Sequence, residues 1–132
     1  MLYLKVILTL SMFFLFPSQL SASDYVQPEP VQNSQQFVDL GEFKLTAYCS
    51  CVKCCGKNDG VTATGTIAEA GRTIAVDVDV IPYGSTVIID GKEYLAEDCG
   101  GAIKGNRIDV YFDTHQEALD FGIQHKNVSM IV

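Results

Sequence analysis

Residues 96–113 read AEDCGGAIKGNRIDVYFD. This glycine-rich run contains three aspartates, Asp98, Asp109 and Asp113, and short segments of β-type composition frame it. A fourth aspartate, Asp77, ends another such segment 21 positions before Asp98. Acidic side chains beside glycines at strand ends fit a carboxylate-lined cleft. They equally fit solvated aspartates that cap turns, so spacing alone leaves both interpretations open.

The segment 107–112 alternates polar and apolar residues, a period typical of a half-buried strand. Its apolar residues point to one face, so Asp109 and Tyr111 share the other, which on a barrel is the outer wall or the floor of a groove. The glycine-rich loop can return Asp98 to the neighbourhood of Asp109. A carboxylate near another carboxylate has a raised pKa, and a carboxylic acid still protonated near neutral pH can donate to a glycosidic oxygen.

Outward from this stretch, the chain reads as many short strands separated by glycine turns. The pair Asp90-Gly91 predicts a type I′ hairpin turn. Thr114 predicts the N-cap of one helix, Glu117 completes a capping box, and Gly122 ends the helix. Without strand–helix alternation, the pattern predicts an all-β (mainly β) fold, a small closed β-barrel. The other β-prone segments are 42–48, 62–65, 73–76, 86–89, 93–96 and 126–132, with a turn at 81–84.

The first 39 residues are predicted to lie outside the folded domain. Lys5, an apolar run over residues 6–16 and small residues at 21–23 predict a signal peptide, 1–23, cleaved near Ser23. An uncleaved anchor is the alternative, but the apolar run is short for a bilayer, which takes about 20 residues. Residues 24–39 are rich in Gln, Pro, Ser and Asn and predict a flexible linker. The domain is predicted over 40–132.

The net charge of −7 becomes −8 once the predicted signal peptide, whose one charged residue is Lys5, is removed. This acidity argues against nucleic acid, whose phosphates require a basic patch. It also argues against electrostatic adhesion to an anionic membrane or wall polymer. We expect no stable membrane insertion after signal cleavage. We expect any polymer that the protein binds to be recognised through its hydroxyl groups and apolar faces.

The five cysteines are concentrated in one loop, and three interpretations of them stay open. Secretion favours disulfides, including a bridge from Cys99 to the loop, and the odd number leaves at least one thiol unpaired or paired between chains. Free thiols are the second interpretation. The third is metal: Cys51 and Cys54 have the spacing of half a zinc site, but no matching pair follows, and His115 and His125 look isolated. The cysteines are Cys49, Cys51, Cys54, Cys55 and Cys99.

Cysteine and tyrosine side chains are two further candidates for the site. A cysteine nucleophile requires a neighbouring base, and the sequence places neither histidine beside a cysteine. Tyr48, Tyr83 and Tyr111 can stack on sugars, but a small barrel also buries tyrosines, and we expect at least two of the three in the core.

Several motifs together resemble a known family, the three-aspartate (3D) domain of bacterial cell-wall proteins. Residues 75–77, 81–84 and 96–112 carry the resemblance, and segments 46–48 and 59–65 match the usual opening of that domain. It covers about residues 43–132. It implies a six-stranded double-psi β-barrel with one or two short helices, related to membrane-bound lytic transglycosylase A and to Gram-positive stationary-phase-survival proteins. Cys99 departs from the threonine that many members have there.

The resemblance implies cleavage of the β-1,4 bond between N-acetylmuramic acid and N-acetylglucosamine in peptidoglycan, without net hydrolysis. Asp77, Asp98 and Asp109 correspond to the three aspartates. In our hypothesis Asp109 is the acid/base, and Asp98 and Asp77 hold its proton and bind sugar hydroxyls. Neither a metal nor another cofactor is predicted. The predicted saccharide contacts are Gly100, Gly101, Lys104, Asn106, Arg107 and Thr64.

The resulting expectation is a secreted, monomeric, Gram-positive-like cell-wall protein that acts on peptidoglycan glycan strands. Two alternatives stay beside it. One is a glycoside hydrolase that uses water on the same site. The other is a barrel that grips wall glycan without cutting it, as expansin-like barrels do.

Overall fold

The computed structural model describes residues 34–56 and 58–132. The predicted signal peptide and most of the predicted linker lie outside the described residues. Strands dominate the part that is described, and the two helices are short. In chain order the elements are β1 (Phe37–Tyr48), α1 (Val52–Cys55), β2 (Thr73–Ala75), β3 (Thr86–Ile89), β4 (Lys92–Asp98), β5 (Arg107–Tyr111), α2 (His115–Phe121) and β6 (Gln124–Ile131).

Within the described residues, six strands close into a barrel in the order β1-β5-β2-β4-β3-β6. The pairs β1–β5 and β2–β4 are parallel, and the other neighbouring pairs are antiparallel. The prediction of an all-β, six-stranded double-psi barrel with one or two short helices is confirmed. Because β2 lies between β4 and β5, it pairs with the two strands that flank the glycine-rich loop.

The barrel interior is filled by the apolar residues of the alternating strands. Phe43 and Leu45 of β1 are 1% and 2% exposed, and Ile108 and Val110 of β5 pack in the same cluster. Burying a side chain of this size stabilises the fold by about 1.5–3 kcal/mol. Since these residues occupy the core face of β5, Asp109 is directed to the other face, as the alternation predicted.

Two local predictions are confirmed in detail. Asp90 and Gly91 between β3 and β4 have φ values of 51° and 74°, both positive as a type I′ turn requires. At the start of α2, Thr114 Oγ1 accepts a hydrogen bond from Glu117 N, and the Glu117 carboxylate accepts one from Thr114 N at 3.1 Å. Gly122 follows the helix at a φ of 64°.

Other segments differ from the sequence predictions. β1 begins at Phe37, before the predicted strand and domain starts, because its first residues pair with β6 across a bulge between Asp39 and Gly41. The predicted β-type segment 62–65 is a turn, in which the Thr62 and Thr66 hydroxyls lie 2.8 Å apart.

The short helix α1 was not predicted. It has four residues and α2 has seven. Along the described residues, no helix combines the length and the apolar character required to cross a membrane.

Candidate functional site

The barrel brings Asp98 and Asp109 to the two sides of one small residue. Ala75 of β2 pairs in register with Asp98 of β4 and with Asp109 of β5. Residues in register point to the same face of a sheet, so both carboxylates flank the Ala75 methyl group. With a strand spacing of about 4.8 Å, their backbones lie roughly 10 Å apart. The small side chain leaves the space between them open.

That space is a cleft of about 390 Å³. Strand ends form its floor, the loop that precedes β2 forms one wall, and the cysteine-rich segment forms another. The cleft is large enough for a sugar ring with its substituents. The residues lining it are Tyr48, Ser50, Cys54, Cys55, Asp59, Gly60, Val61, Thr62, Ala63, Ala68, Ala75, Asp98, Cys99, Gly100, Ile103, Asp109 and Tyr111.

Asp109 is half-buried on the floor of the cleft. Burial raises the pKa of its carboxyl group because desolvation disfavours the charged form. The Thr46 hydroxyl, which donates to Asp109 Oδ1 at 2.9 Å, and the Arg107 charge oppose that rise, while the negative charge of Asp98 adds to it. The balance leaves Asp109 more readily protonated than an exposed aspartate. The raised pKa suits Asp109 to donate a proton in the cleft.

Asp98, in contrast, is held by three donors. Its Oδ2 accepts from the Tyr48 hydroxyl at 2.7 Å, and its Oδ1 accepts from the backbone N–H groups of Ala63 and Cys99 at 2.9 and 3.0 Å. Burial and this carboxylate raise the pKa of the Tyr48 phenol, so Tyr48 stays a donor. Asp98 is thus an acceptor in fixed orientation facing the cleft.

Asp77 occupies a different position. Its carboxylate accepts from Gly105 N at 2.8 Å and from Asp79 N at 3.1 Å, and these two bonds hold its pKa below the usual range. It is 9% exposed, and among the described residues it is not part of the cleft lining. Asp77 therefore joins the segment that follows β2 to the loop that leads into β5.

Of the predicted saccharide contacts, one lines the cleft and the others do not. Gly100 lines the cleft. Thr64 Oγ1 donates to Glu97 O at 2.9 Å, Asn106 Nδ2 to Glu42 O at 3.4 Å, and Arg107 Nη1 to Ala102 O at 3.3 Å, so these three side chains bind backbone. None of them lines the cleft in the described structure, and neither do the exposed Gly101 and Lys104.

Other residues of the site were missed from the sequence. Thr46 is the parallel register partner of Asp109 and its hydrogen-bond donor. Ala63 lines the cleft and donates its backbone N–H group to Asp98, a contact that no side-chain pattern reveals. The alternation of residues in β1 shows which face of the strand Thr46 occupies. Only the pairing of β1 with β5 shows that Asp109 lies on the same face.

The tyrosines follow the expectation that at least two are buried. Tyr48 and Tyr111 are 8% and 5% exposed, and their rings meet edge to face with centroids 5.4 Å apart. Both nevertheless line the cleft, whereas Tyr83 is 41% exposed. The Tyr111 hydroxyl donates to Ser50 Oγ at 3.2 Å, so only Tyr48 of this pair bonds an aspartate of the cleft.

All five cysteines are free thiols in this structure, so the expected disulfides stay a prediction. Cys54, Cys55 and Cys99 line the cleft. His115, which looked isolated in the sequence, lies 3.4 Å from the Cys54 sulfur through its Nδ1 atom. Of the residues described, those that could hold a metal are this histidine and three of the cysteines.

The fold and site define a closed double-psi barrel with a cleft in which Asp98 and Asp109 lie on either side of Ala75 of β2. Residues 72–132 match the 3D domain family. This match confirms, over those residues, the resemblance seen in the sequence. The matched region contains all three predicted aspartates.

Curated relatives come from Bacillus subtilis (strain 168). The chain is 42% identical over 80 residues to the cell wall-binding protein YocH, covering 58% of this chain and 28% of YocH. It is 45% identical over 82 residues to the putative cell wall shaping protein YabE, covering 58% and 19%. It is 43% identical over 90 residues to the SPbeta prophage-derived uncharacterized protein YorM, covering 64% and 37%. The chain thus spans less than half the length of each of these relatives.

Solved structures with a similar chain path include two lytic transglycosylases. MltA of E. coli, in the D308A apo-2 form, is 22% identical with a TM-score of 0.48, covering 55% of this chain and 27% of MltA. LtgG of Burkholderia pseudomallei is 28% identical with a TM-score of 0.48, covering 54% and 26%.

Proposed function

We propose that this protein cleaves peptidoglycan glycan strands between N-acetylmuramic acid and N-acetylglucosamine, leaving 1,6-anhydro ends. The observation that carries the proposal is the pair of unlike carboxyl groups in one cleft. Burial raises the pKa of Asp109, while Asp98 is fixed as an acceptor by three donors. Carboxyl groups whose environments differ in this way divide acid and acceptor roles between them.

Asp109 carries the proton in this mechanism. It donates to the glycosidic oxygen as the bond from that oxygen to C1 of the muramoyl residue breaks. The resulting carboxylate accepts the proton of the C6 hydroxyl while O6 bonds to C1, which closes the anhydro ring. No water enters the product, so one acid/base group serves both steps. A hydrolase, in contrast, requires a second carboxyl group placed for water or for nucleophilic attack.

Asp98 supports the acid/base Asp109 from within the cleft, and Asp77 supports it from outside the cleft. Asp98, fixed by Tyr48, accepts sugar hydroxyl groups and raises the pKa of Asp109 through its charge. Asp77 fixes the loop at Gly105, from which β5 and Asp109 follow. Gly100, at the rim, lets the glycan approach the backbone. Gly101, Lys104, Asn106, Arg107 and Thr64 are proposed as outer glycan contacts.

The second candidate function is glycan binding without cleavage. The name of YocH, a cell wall-binding protein, favours it. The same cleft serves this function if Asp109 stays protonated but the glycan is bound without distortion toward the transition state. The two candidates share a partner, peptidoglycan, and a location, the cell wall, reached by a secreted, monomeric chain after signal cleavage near Ser23.

The deciding experiment is digestion of purified peptidoglycan by the full chain, followed by mass spectrometry of the soluble fragments. We expect anhydromuropeptides from the wild type and none from Asp109→Asn. Asp113→Asn is the matched control, since Asp113 is an exposed aspartate between β5 and α2. Release of reducing-end sugars would indicate hydrolysis. Sedimentation with peptidoglycan but no fragment from any variant would overturn cleavage and leave the binding function.

A further inference from the structure

Three sulfur atoms and one imidazole nitrogen converge beside the end of β1. Cys49 follows that strand directly, Cys51 precedes α1, and Cys54 lies within α1. His115 begins α2, 66 residues from Cys49. The four side-chain ligand atoms all lie within 4.8 Å of one another. Two helices and a strand thus meet at a cluster of soft ligand atoms.

The imidazole nitrogen lies at a distance from each sulfur atom that is typical of two ligands of the same metal ion. His115 Nδ1 lies 3.7, 3.6 and 3.4 Å from the Sγ atoms of Cys49, Cys51 and Cys54. Tetrahedral zinc, with Zn–S of about 2.3 Å and Zn–N of about 2.0 Å, separates its nitrogen and sulfur ligands by about 3.5 Å. The histidine therefore has the required placement relative to all three thiols.

The Cys49 sulfur lies closer to each of the other two sulfurs than a bound ion requires. Cys49 Sγ lies 2.9 Å from Cys51 Sγ and 3.4 Å from Cys54 Sγ. A tetrahedral zinc ion separates two thiolate sulfurs by about 3.8 Å, so they must move apart by about 1 Å or less. Cys49 is 1% exposed, whereas Cys51 is half-buried and Cys54 is exposed. Rotation of the last two side chains supplies the opening.

We propose that Cys49, Cys51, Cys54 and His115 bind one Zn²⁺ ion. Thiolate and imidazole ligands select zinc over the hard cations Ca²⁺ and Mg²⁺, which take oxygen ligands. Four protein ligands fill a tetrahedral shell and leave no open position, which is typical of structural zinc. The ion does no chemistry here. It holds the cysteine-rich loop against the start of α2.

The site is independent of the proposed cleavage but adjoins the cleft. Cys54 lines the cleft, so an ion bound to it fixes one wall. Cys55 is outside the ligand set because its Sγ atom donates to Cys49 O at 3.0 Å. Cys55 is therefore a control from the same loop, with a thiol that the proposal does not use.

The test is metal content and cobalt spectroscopy of the full 132-residue chain, purified with a non-thiol reductant. We expect about one zinc per chain by elemental analysis. Substituted cobalt should give a thiolate-to-cobalt charge-transfer band and the visible bands of a tetrahedral site. In Cys54→Ser and His115→Ala, zinc affinity should fall by more than about 100-fold, since loss of an outer-shell partner alone costs about 10–100-fold. Cys55→Ser and His125→Ala should keep wild-type affinity.

Several outcomes would overturn the proposal. One is a fully reduced, folded chain that holds no zinc in excess metal, with thiol counting confirming five free thiols. Another is zinc binding that Cys54→Ser and His115→Ala leave unchanged. A third is a peptide map that joins Cys49 to Cys51 or Cys54 by a disulfide in the protein as secreted. Circular dichroism of each variant separates loss of a ligand from unfolding. The test uses Cys54→Ser because Cys54 is exposed, whereas a substitution at the buried Cys49 could unfold the chain.

Discussion

The Tyr48 hydroxyl donates to Asp98 Oδ2 at 2.7 Å, which joins the end of β1 to the end of β4. These strands are not neighbours in the barrel, since β5 and β2 lie between them. The bond therefore spans the floor of the cleft. It also orients the Asp98 carboxylate, while the two backbone donors to Oδ1 fix its rotation.

The first prediction concerns this bond. In Tyr48→Phe, Asp98 loses a donor, and the free energy of unfolding should fall by about 1.5–3 kcal/mol, as for other hydrogen bonds to charged groups. Peptidoglycan cleavage should fall by about tenfold, the equivalent of 1.4 kcal/mol in the barrier. Chemical denaturation and fragment release measure the two effects.

Tyr111→Phe is the matched control for Tyr48→Phe. Tyr111 is also buried and lines the cleft, but its hydroxyl bonds to Ser50. It should keep most of the cleavage activity. Equal loss in the two variants would show that the aspartate contact is not what matters.

A second prediction follows from the raised pKa of Asp109. A folded-state pKa above the unfolded value means that ionising the buried carboxyl group destabilises the fold, so stability falls as pH rises through the two pKa values. Asp109→Asn removes this cost and keeps an acceptor for Thr46. Its melting temperature at pH 7 should exceed that of the wild type by a few degrees. The difference should shrink at acid pH, where Asp109 is protonated, and a lower melting temperature at pH 7 would contradict the assignment.

The third prediction uses the Thr46 hydroxyl, which lowers the pKa of Asp109 by bonding its charged form. In Thr46→Val this bond is lost, and the pKa of Asp109 should rise further. If Asp109 donates the proton, the alkaline limb of the pH–activity profile should move to higher pH. Carboxyl titration by NMR would report the same direction. An unchanged limb would assign the proton to another group.

The fourth prediction concerns Asp77 and has the opposite sign. The Gly105 and Asp79 N–H groups lower the pKa of Asp77 in the folded state. The ionised carboxylate therefore stabilises the fold at pH values above the unfolded-state pKa, about 4. This stabilisation is lost as the pH falls below that value. Asp77→Asn should melt lower than the wild type at pH 7, and the gap should close in acid. Asp79→Asn, an exposed neighbour, is the control. A gap that persists in acid would refute the linkage.

A fifth prediction tests the space beside Ala75. In Ala75→Leu, the larger side chain should fill the gap between the two aspartates. Glycan binding, measured by sedimentation with peptidoglycan, should fall sharply, and overpacking should cost about 1–3 kcal/mol of stability. Ala102→Leu, at an exposed position, should bind as the wild type does. Wild-type binding by folded Ala75→Leu would place the glycan elsewhere.

The sequence predicts those features whose causes are local. The hairpin at Asp90-Gly91 and the capping box of Thr114 and Glu117 depend on residues within a few positions of each other, and both were found. Threonine favours strands, so the composition of residues 62–65 predicts a β-type segment. Their hydroxyls instead bond each other within a turn, which a propensity does not represent.

Features that depend on strand pairing were beyond the sequence. Alternation placed Asp109 on the open face, but only the order of β5, β2 and β4 shows that Ala75 separates it from Asp98. The cysteine ligands show the same limit. A zinc site was discounted because no second pair followed Cys51 and Cys54, whereas the structure adds Cys49 and a single distant histidine, His115.

The pairing of β1 with β6 has a consequence for biosynthesis. β1 is the first strand of the barrel and β6 the last, and their ladder runs from the Phe37–Ile131 pair to the Leu45–Gln124 pair. The barrel cannot close until Gln124–Ile131 has left the ribosome, so non-local pairing makes its folding a late and comparatively slow event. Until then Asp98 and Asp109 are ordinary solvated carboxyl groups. We expect a nascent chain that lacks β6 to leave the barrel open and to be inert toward any glycan that it meets.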